Sequence, residues 1–124
     1  LEVYNMIDMT HKVIYGPNGE PDFEISDGNG IPTGIMGFSD VEVTDKYIYA
    51  VFHGLSFREI AKQVRKGIKG QDGGKYIYVF SLTGEPVCCY TLDRYIYGID
   101  VNEEKGIITA VDVNSDEPIV QYKI

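Results

Sequence analysis

The stretch Val41-Glu42-Val43-Thr44-Asp45-Lys46-Tyr47-Ile48-Tyr49-Ala50-Val51 returns later in the chain with its pattern intact. The later copy is Ile99-Asp100-Val101-Asn102-Glu103, then Ile107-Ile108-Thr109-Ala110-Val111, with two extra turn residues between its halves. In each copy apolar and polar side chains alternate before the turn, which is the period of a half-buried strand. Turn formers separate the two runs, so each copy reads as an antiparallel hairpin. Each hairpin is followed by a similar third strand, Ile77-Tyr78-Val79-Phe80-Ser81-Leu82 in one case and Ile119-Val120-Gln121-Tyr122-Lys123-Ile124 in the other. Leu1-Glu2-Val3-Tyr4-Asn5-Met6 is a third copy of that strand, with Tyr4, Phe80 and Tyr122 at one repeat position and Met6, Leu82 and Ile124 at another.

Tyr122 follows Phe80 by 42 residues, the size of one four-stranded propeller blade of about 40–45 residues. Strands are expected at roughly 1–6, 11–15, 39–43, 47–53, 76–82, 87–92, 95–101, 107–112 and 119–124. With the strands of a blade lettered a to d from the axis outward, the chain reads c-d, a-b-c-d, a-b-c. The predicted fold is all-β: a partial β-propeller of four-stranded antiparallel blades, about two and a quarter of them. It forms one domain over 1–124, with outer strands of one blade at 1–15, a full blade at 39–93 and three strands of the next at 94–124. A β-sandwich would share the hairpins, but it gives no reason for the third strand to recur. An open wedge leaves sheet flanks uncovered, so the chain is expected to be part of a longer propeller or to associate with other copies.

Composition narrows the classes. The chain has 124 residues with 11 Lys+Arg against 19 Asp+Glu, a net charge of −8. An acidic chain with no basic groove and no interleaved aromatics is not expected to bind nucleic acid. Apolar residues make up 44%, enough for a core. No apolar run is long enough for a membrane span. The start at Leu1 lacks both a Met and a signal-peptide layout, which suggests a trimmed piece. Cys88 and Cys89 are adjacent, which suits neither a disulfide framework nor a CxxC metal pair. One buried and one half-exposed thiol are expected.

Several segments together carry a family likeness: Gly37-Phe38-Ser39-Asp40 running into the first hairpin, Tyr76 through Val87 with its Thr83-Gly84-Glu85-Pro86 turn, Leu92-Asp93, and Gly98-Ile99-Asp100-Val101. They resemble the TolB-like six-bladed β-propeller proteins, usually envelope lipoproteins of Gram-negative bacteria. The resemblance covers roughly 37–124 and, more weakly, 1–15, as the C-terminal portion of such a ring. It implies a six-bladed parent and an extracytoplasmic location. It supplies no catalytic motif, and the chain has no lipidation Cys at its start.

Antiparallel order puts the b-to-c and d-to-a connections on one face of the disc. The two long insertions, 16–38 and 54–75, are both of this type, and binding favours long loops on a rigid scaffold. The second should hold a short helix. Ser56 caps it, Glu59 completes a capping box, and Gly67 stops it. Phe57, Ile60, Ala61 and Val64 form one apolar stripe. Residues 55–75 hold six basic and two acidic side chains, a cationic island on an acidic body. The expected ligand-binding residues are therefore His53, Arg58, Lys62, Arg65 and Lys66, facing an acidic protein or an anionic surface ligand. The plainer reading is a solvated helix whose cations are balanced by neighbouring carboxylates.

Other clusters are weaker. Asp112, Asn114 and Asp116 alternate like a calcium loop, but Glu117 and Lys123 stand where that loop needs Gly and Glu, so an Asp/Asn turn is expected. Asp27-Gly28-Asn29-Gly30 reads as a flexible turn. His11 and His53 are expected to lie too far apart to share a metal. A hydrolytic set of His53 with Ser39, Ser56 and Asp40 lacks a nucleophile elbow. No metal and no cofactor are expected. The expected function is a non-enzymatic binding or scaffold module. The alternatives are a propeller hydrolase or lyase with a central divalent metal, and an assembly protein acting through exposed strand edges. If Phe80 and Tyr122 are core, alanine at either should cost about 3–5 kcal/mol.

Overall fold

The computed structural model describes residues 1–19 and 22–124. Among these described residues eleven strands and one helix occur in the order β1 (Glu2–Asn5), β2 (Thr10–Val13), β3 (Phe23–Ser26), β4 (Asn29–Pro32), β5 (Phe38–Val43), β6 (Tyr47–Phe52), α1 (Phe57–Arg65), β7 (Gly74–Ser81), β8 (Pro86–Ile96), β9 (Gly98–Asn102), β10 (Ile107–Val111) and β11 (Ile119–Lys123). The sheets are β5-β6-β7-β8, β9-β10-β11, and the two hairpins β1-β2 and β3-β4. Every pairing is antiparallel.

The repeat holds to the residue. Val43 pairs with Ile48, which pairs with Phe80. Val101 pairs with Ile108, which pairs with Tyr122. Alternation then gives each sheet two faces with different neighbours. Tyr49, Val51, Ile77 and Val79 pack against Ile108 and Ala110 of the following sheet. Ile48, Ala50 and Phe80 point the other way and meet Leu1, Val3 and Ile14 of the β1–β2 hairpin. Ile48 and Ile108 thus both face the preceding sheet, as do Ala50 and Ala110. Sheets stacked side by side in one sense of rotation are blades, and the chain forms a partial propeller.

The inner strands β5 and β9 are joined by side chains. Asp40 Oδ2 accepts a hydrogen bond from the Ile99 amide at 2.9 Å, and at the opposite end Thr44 Oγ1 donates to Glu103 at 2.8 Å.

Four expectations change. First, the 16–38 insertion contains the β3–β4 hairpin. Asp27 (φ 50°) and Gly28 (φ 77°) are both left-handed, the geometry of a tight two-residue hairpin loop rather than a flexible turn. Second, β8 continues to Ile96, past the blade boundary expected at 93/94, because an irregularity between Gly74 and Tyr76 absorbs Leu92–Tyr95 and leaves Leu92 and Ile96 buried. Third, Cys88 and Cys89 are both exposed. They lie on β8, an edge strand of the β5–β8 sheet, and point to opposite faces of it. Fourth, Tyr4, Phe80 and Tyr122 share a repeat position but not an environment. Phe80 is 4% exposed and Tyr4 60%, while Tyr122 is half-buried.

The alanine losses should therefore be graded. Phe80→Ala is expected to cost about 3–5 kcal/mol, Tyr122→Ala about 1–2 kcal/mol because its side chain keeps solvent contact, and Tyr4→Ala under about 1 kcal/mol. Urea unfolding of the three variants checks the order.

Candidate functional site

The two insertions meet. The Met36 amide donates to the Leu55 carbonyl at 2.9 Å, the His53 amide donates to the Gly37 carbonyl at 3.1 Å, and Ile35 bridges to Ser56. The b-to-c loop of the last blade joins the same face. Asn114 donates to the Asp72 carbonyl at 3.0 Å and accepts from the Asp72 amide at 3.2 Å. Gly73 and Gly74 let the second insertion re-enter the sheet: a Cβ on Gly73 would collide with the Ile96 carbonyl, and one on Gly74 with the Val51 side chain. Gly73 also has φ +105°, a conformation glycine tolerates without strain.

The capping box of α1 is present. Ser56 Oγ accepts from the Glu59 amide at 3.2 Å, and the Glu59 carboxylate accepts from the Ser56 amide at 2.8 Å. The Ser56 amide and the Ser56 hydroxyl, both donating to that carboxylate, hold the Glu59 pKa below its ordinary value. Gly67 ends the helix at φ +81°. The apolar stripe, however, is not packed. No residue of α1 is buried. Ile60 and Gln63 are half-buried, whereas Phe57, Ala61 and Val64 are exposed. The inward side of the helix is therefore rotated away from the centre of the apolar stripe.

Arg58, Lys62, Arg65 and Lys66 are exposed together on this helix and its cap, with Lys69 just beyond. Among the described residues none of the five has a carboxylate within 4.0 Å. His53 is separated from them by burial. It is 6% exposed at the end of β6, its Nδ1 accepts from the Leu55 amide at 3.2 Å, and its ring lies 6.3 Å from that of Tyr95. The acceptor role makes it a neutral ring whose proton is on Nε2. Burial lowers its pKa, against smaller opposing effects of the Gln71 backbone and Asp72. His53 thus pins the root of the insertion, and the surface cations are the exposed members of the predicted set.

The other clusters have structural partners. Asp40 binds the Ile99 amide and Ser56 Oγ caps α1, so neither joins His53. Asp112 Oδ1 accepts from the Asn114 amide at 2.9 Å, which makes the expected Asx turn. Asp112 is itself buried, 3.8 Å from Arg94. His11 stacks on Tyr4 with ring centroids 4.4 Å apart, on the β1–β2 hairpin. Among the described residues no group of three or more His, Cys, Asp or Glu side chains is arranged to hold a metal ion. No helix among the described residues is long and apolar enough to cross a membrane.

Sequence reasoning missed a trough between β1 and β5. A cavity of about 710 Å³ lies at its inserted end, against Phe38, Asp40 and Phe52. A second, of about 420 Å³, continues towards Val43, Ile48 and Leu82. Both share Leu1, Glu2 and Val41. The signal for it lay in the apolar residues Leu1, Val3, Val41 and Val43, which alternate along two segments of different sheets.

Antiparallel sheets stacked in register around adjacent inner strands define a propeller module. The chain belongs to the TolB-like 6-blade propeller-like family, whose model matches residues 1–104. The match covers both insertions and β5–β9, and β10 and β11 follow by the internal repeat. Neither a curated protein nor a solved structure matches the chain.

The neutral, buried His53 has a pH consequence. The unfolded chain takes up a proton near the ordinary histidine value of 6.5, while the folded ring resists it. Stability therefore falls as pH drops below about 6.5 and levels off below the folded pKa. His53→Gln should flatten the slope of unfolding free energy between about pH 7.5 and 5.5, which denaturant titrations across that range will read.

Proposed function

We propose that this chain is a non-enzymatic binding module of a TolB-like propeller, acting outside the cytoplasm, whose inserted face recognises an anionic partner, an acidic protein or surface ligand, through Arg58, Lys62, Arg65 and Lys66. One observation carries the reading: these cations stand exposed and without carboxylate partners among the described residues of a chain with net charge −8. On an acidic body, lysines and arginines that only solvate a helix are expected to find carboxylates close by. A cluster left uncompensated produces a local positive field that steers negative groups to one face. The scaffold beneath is rigid, because α1 is anchored at His53–Ser56 and the insertion is tied to the next blade at Asn114. The family likeness supports the envelope location.

A second reading, assembly through sheet flanks, is favoured by the exposure of Tyr4, Met6 and Val43, at 60%, 77% and 60%. Light scattering separates the two: a monodisperse monomer counts against assembly. The hydrolase or lyase alternative is tested by metal analysis of the purified protein, where a stoichiometric divalent ion would favour it.

The wild-type chain should be retained on phosphocellulose at low salt despite its net charge. Arg58→Glu with Lys62→Glu should fold normally and pass through unretained. Lys105→Glu with Lys123→Glu, which has the same net charge, should stay retained. Equal behaviour of the two double variants would defeat the proposal.

A further inference from the structure

The exposed side of α1 repeats a two-residue unit. Phe57-Arg58, Ala61-Lys62 and Val64-Arg65 each place an apolar residue directly before a cation, at spacings of four and three, and Ile68-Lys69 adds a further unit just past the Gly67 stop. All eight residues are exposed. Ile60 and Gln63, the half-buried residues of the helix, mark its inward side. At about 3.6 residues per turn, Arg58 and Arg65 fall opposite them. Phe57, Ala61 and Val64 form a line along one flank of those arginines, and Lys62 lies on the other. An apolar line about 10 Å long therefore runs beside a cationic one, both turned to solvent. Phe57 and Val64 are each 55% exposed and Ile68 46%. Glu59, the one carboxylate of the helix, is turned back onto Ser56 by the capping box. The far end is closed as well. The Gly67 amide donates to the Val64 carbonyl at 2.9 Å and the Ile68 amide to the Gln63 carbonyl at 3.0 Å, so both ends of the helix are held without a partner.

Given the anion recognition proposed for these cations, on which this step rests, we propose that α1 docks on an anionic phospholipid surface. The cations meet the phosphate headgroups, and Phe57, Val64 and Ile68 reach the acyl boundary. Charge alone suits an acidic protein equally. The apolar line does not: on a protein it needs a matching groove beside the carboxylates. A bilayer offers negative charge and hydrocarbon side by side along its whole surface, which is how interfacial helices bind. Charge complementarity also sets the orientation. Residues 55–75 hold six of the chain's 11 Lys+Arg and two of its 19 Asp+Glu, so the remainder carries five against 17. An anionic surface repels that remainder and attracts α1, so the inserted face is the side that meets the bilayer.

The chain contains no tryptophan, so Phe57→Trp, at an exposed position, supplies a single reporter. The full chain carrying it is titrated with vesicles of phosphatidylglycerol and phosphatidylcholine, and with phosphatidylcholine alone. Emission should shift to shorter wavelength on the anionic vesicles only, and brominated acyl chains should quench it. Raising salt from about 0.05 to about 0.5 M should weaken binding at least about tenfold. Without the reporter, Val64→Ser with Ile68→Ser should weaken co-sedimentation with the anionic vesicles at least about tenfold and leave phosphocellulose retention unchanged. Arg58→Glu with Lys62→Glu should abolish both, and Lys105→Glu with Lys123→Glu neither. Retention on phosphocellulose without binding to anionic vesicles would overturn the lipid assignment and leave anion recognition standing. Absence of both would overturn the two together. An unshifted, unquenched reporter on bound vesicles would also overturn it, as would polyglutamate binding as tight as the vesicles, which would point to an acidic protein.

Discussion

The structure depends on one contact, the flat packing of the β5–β8 sheet on β9–β11. Tyr49, Val51, Ile77 and Val79 on one side meet Ile108 and Ala110 on the other, and all are almost fully buried. Each buried aliphatic contributes about 1.5–3 kcal/mol, so this interface outweighs any single hydrogen bond in the molecule. A small residue recurs at both sheet contacts: Ala50 and Ala110 are both 0% exposed and fall at the same repeat position, facing the preceding sheet. The polar ties at the rim, Asp40 to Ile99 and Thr44 to Glu103, then fix how the blades are rotated against each other.

With the blades fixed, the inserted face has its foundation. Long connections leave a sheet edge with nothing of their own to bury, so their order must come from anchors. Three are present: buried His53 holding Leu55, the Ser56–Glu59 box, and the Asn114–Asp72 pair across to the next blade. Between these anchors α1 lies on the surface without a buried residue. Its position is therefore set by its ends, and its outward side is free for charge. Tyr49, whose hydroxyl donates to Glu103 at 3.2 Å, sits in the blade interface, and its pKa is raised first by burial and then by that bond. Tyr122 is similarly pushed up to about 12, by burial and by its bond to Asp93. Both phenols remain neutral donors, so these two hydrogen bonds persist across ordinary pH.

Local features were legible in the sequence. The β5–β6 and β9–β10 hairpins, the capping box and the Gly67 stop each depend on residues within one or two turns of each other. The β3–β4 hairpin was concealed, although Asp27-Gly28 carries its turn signal. Its strands contain Gly30 and Pro32 and all eight residues are exposed, so no buried face imposes alternation. Exposure of Cys88 and Cys89 was not legible, because they point to opposite faces of β8 and burial there depends on what packs against each face rather than on local pattern. The sidedness of α1 was not legible either. A helical wheel locates an apolar stripe but not the surface it rests on, and here Gln63 turns inward while Phe57 turns out. Among the candidate residues, Arg58, Lys62, Arg65 and Lys66 were found by charge alone, while the burial of His53 required the fold.

The contrast between Tyr4 and Phe80 shows why repeat position and exposure must be kept apart. Both follow an apolar-x-apolar pair on a third strand, and both point to the preceding side. Phe80 finds the β1–β2 hairpin there, with Phe38 at 6.1 Å between ring centroids. Tyr4 finds only His11 and Glu2 of its own hairpin. The sequence encodes an aromatic for an interface, and whether it is buried is decided by what stands in front of it. The same reasoning makes the apolar floor at Val41 and Val43 informative. These residues were read as one side of an amphipathic strand, yet both sides of β5 lie within a stack of blades: one faces the trough, and the other includes Asp40, which ties to β9.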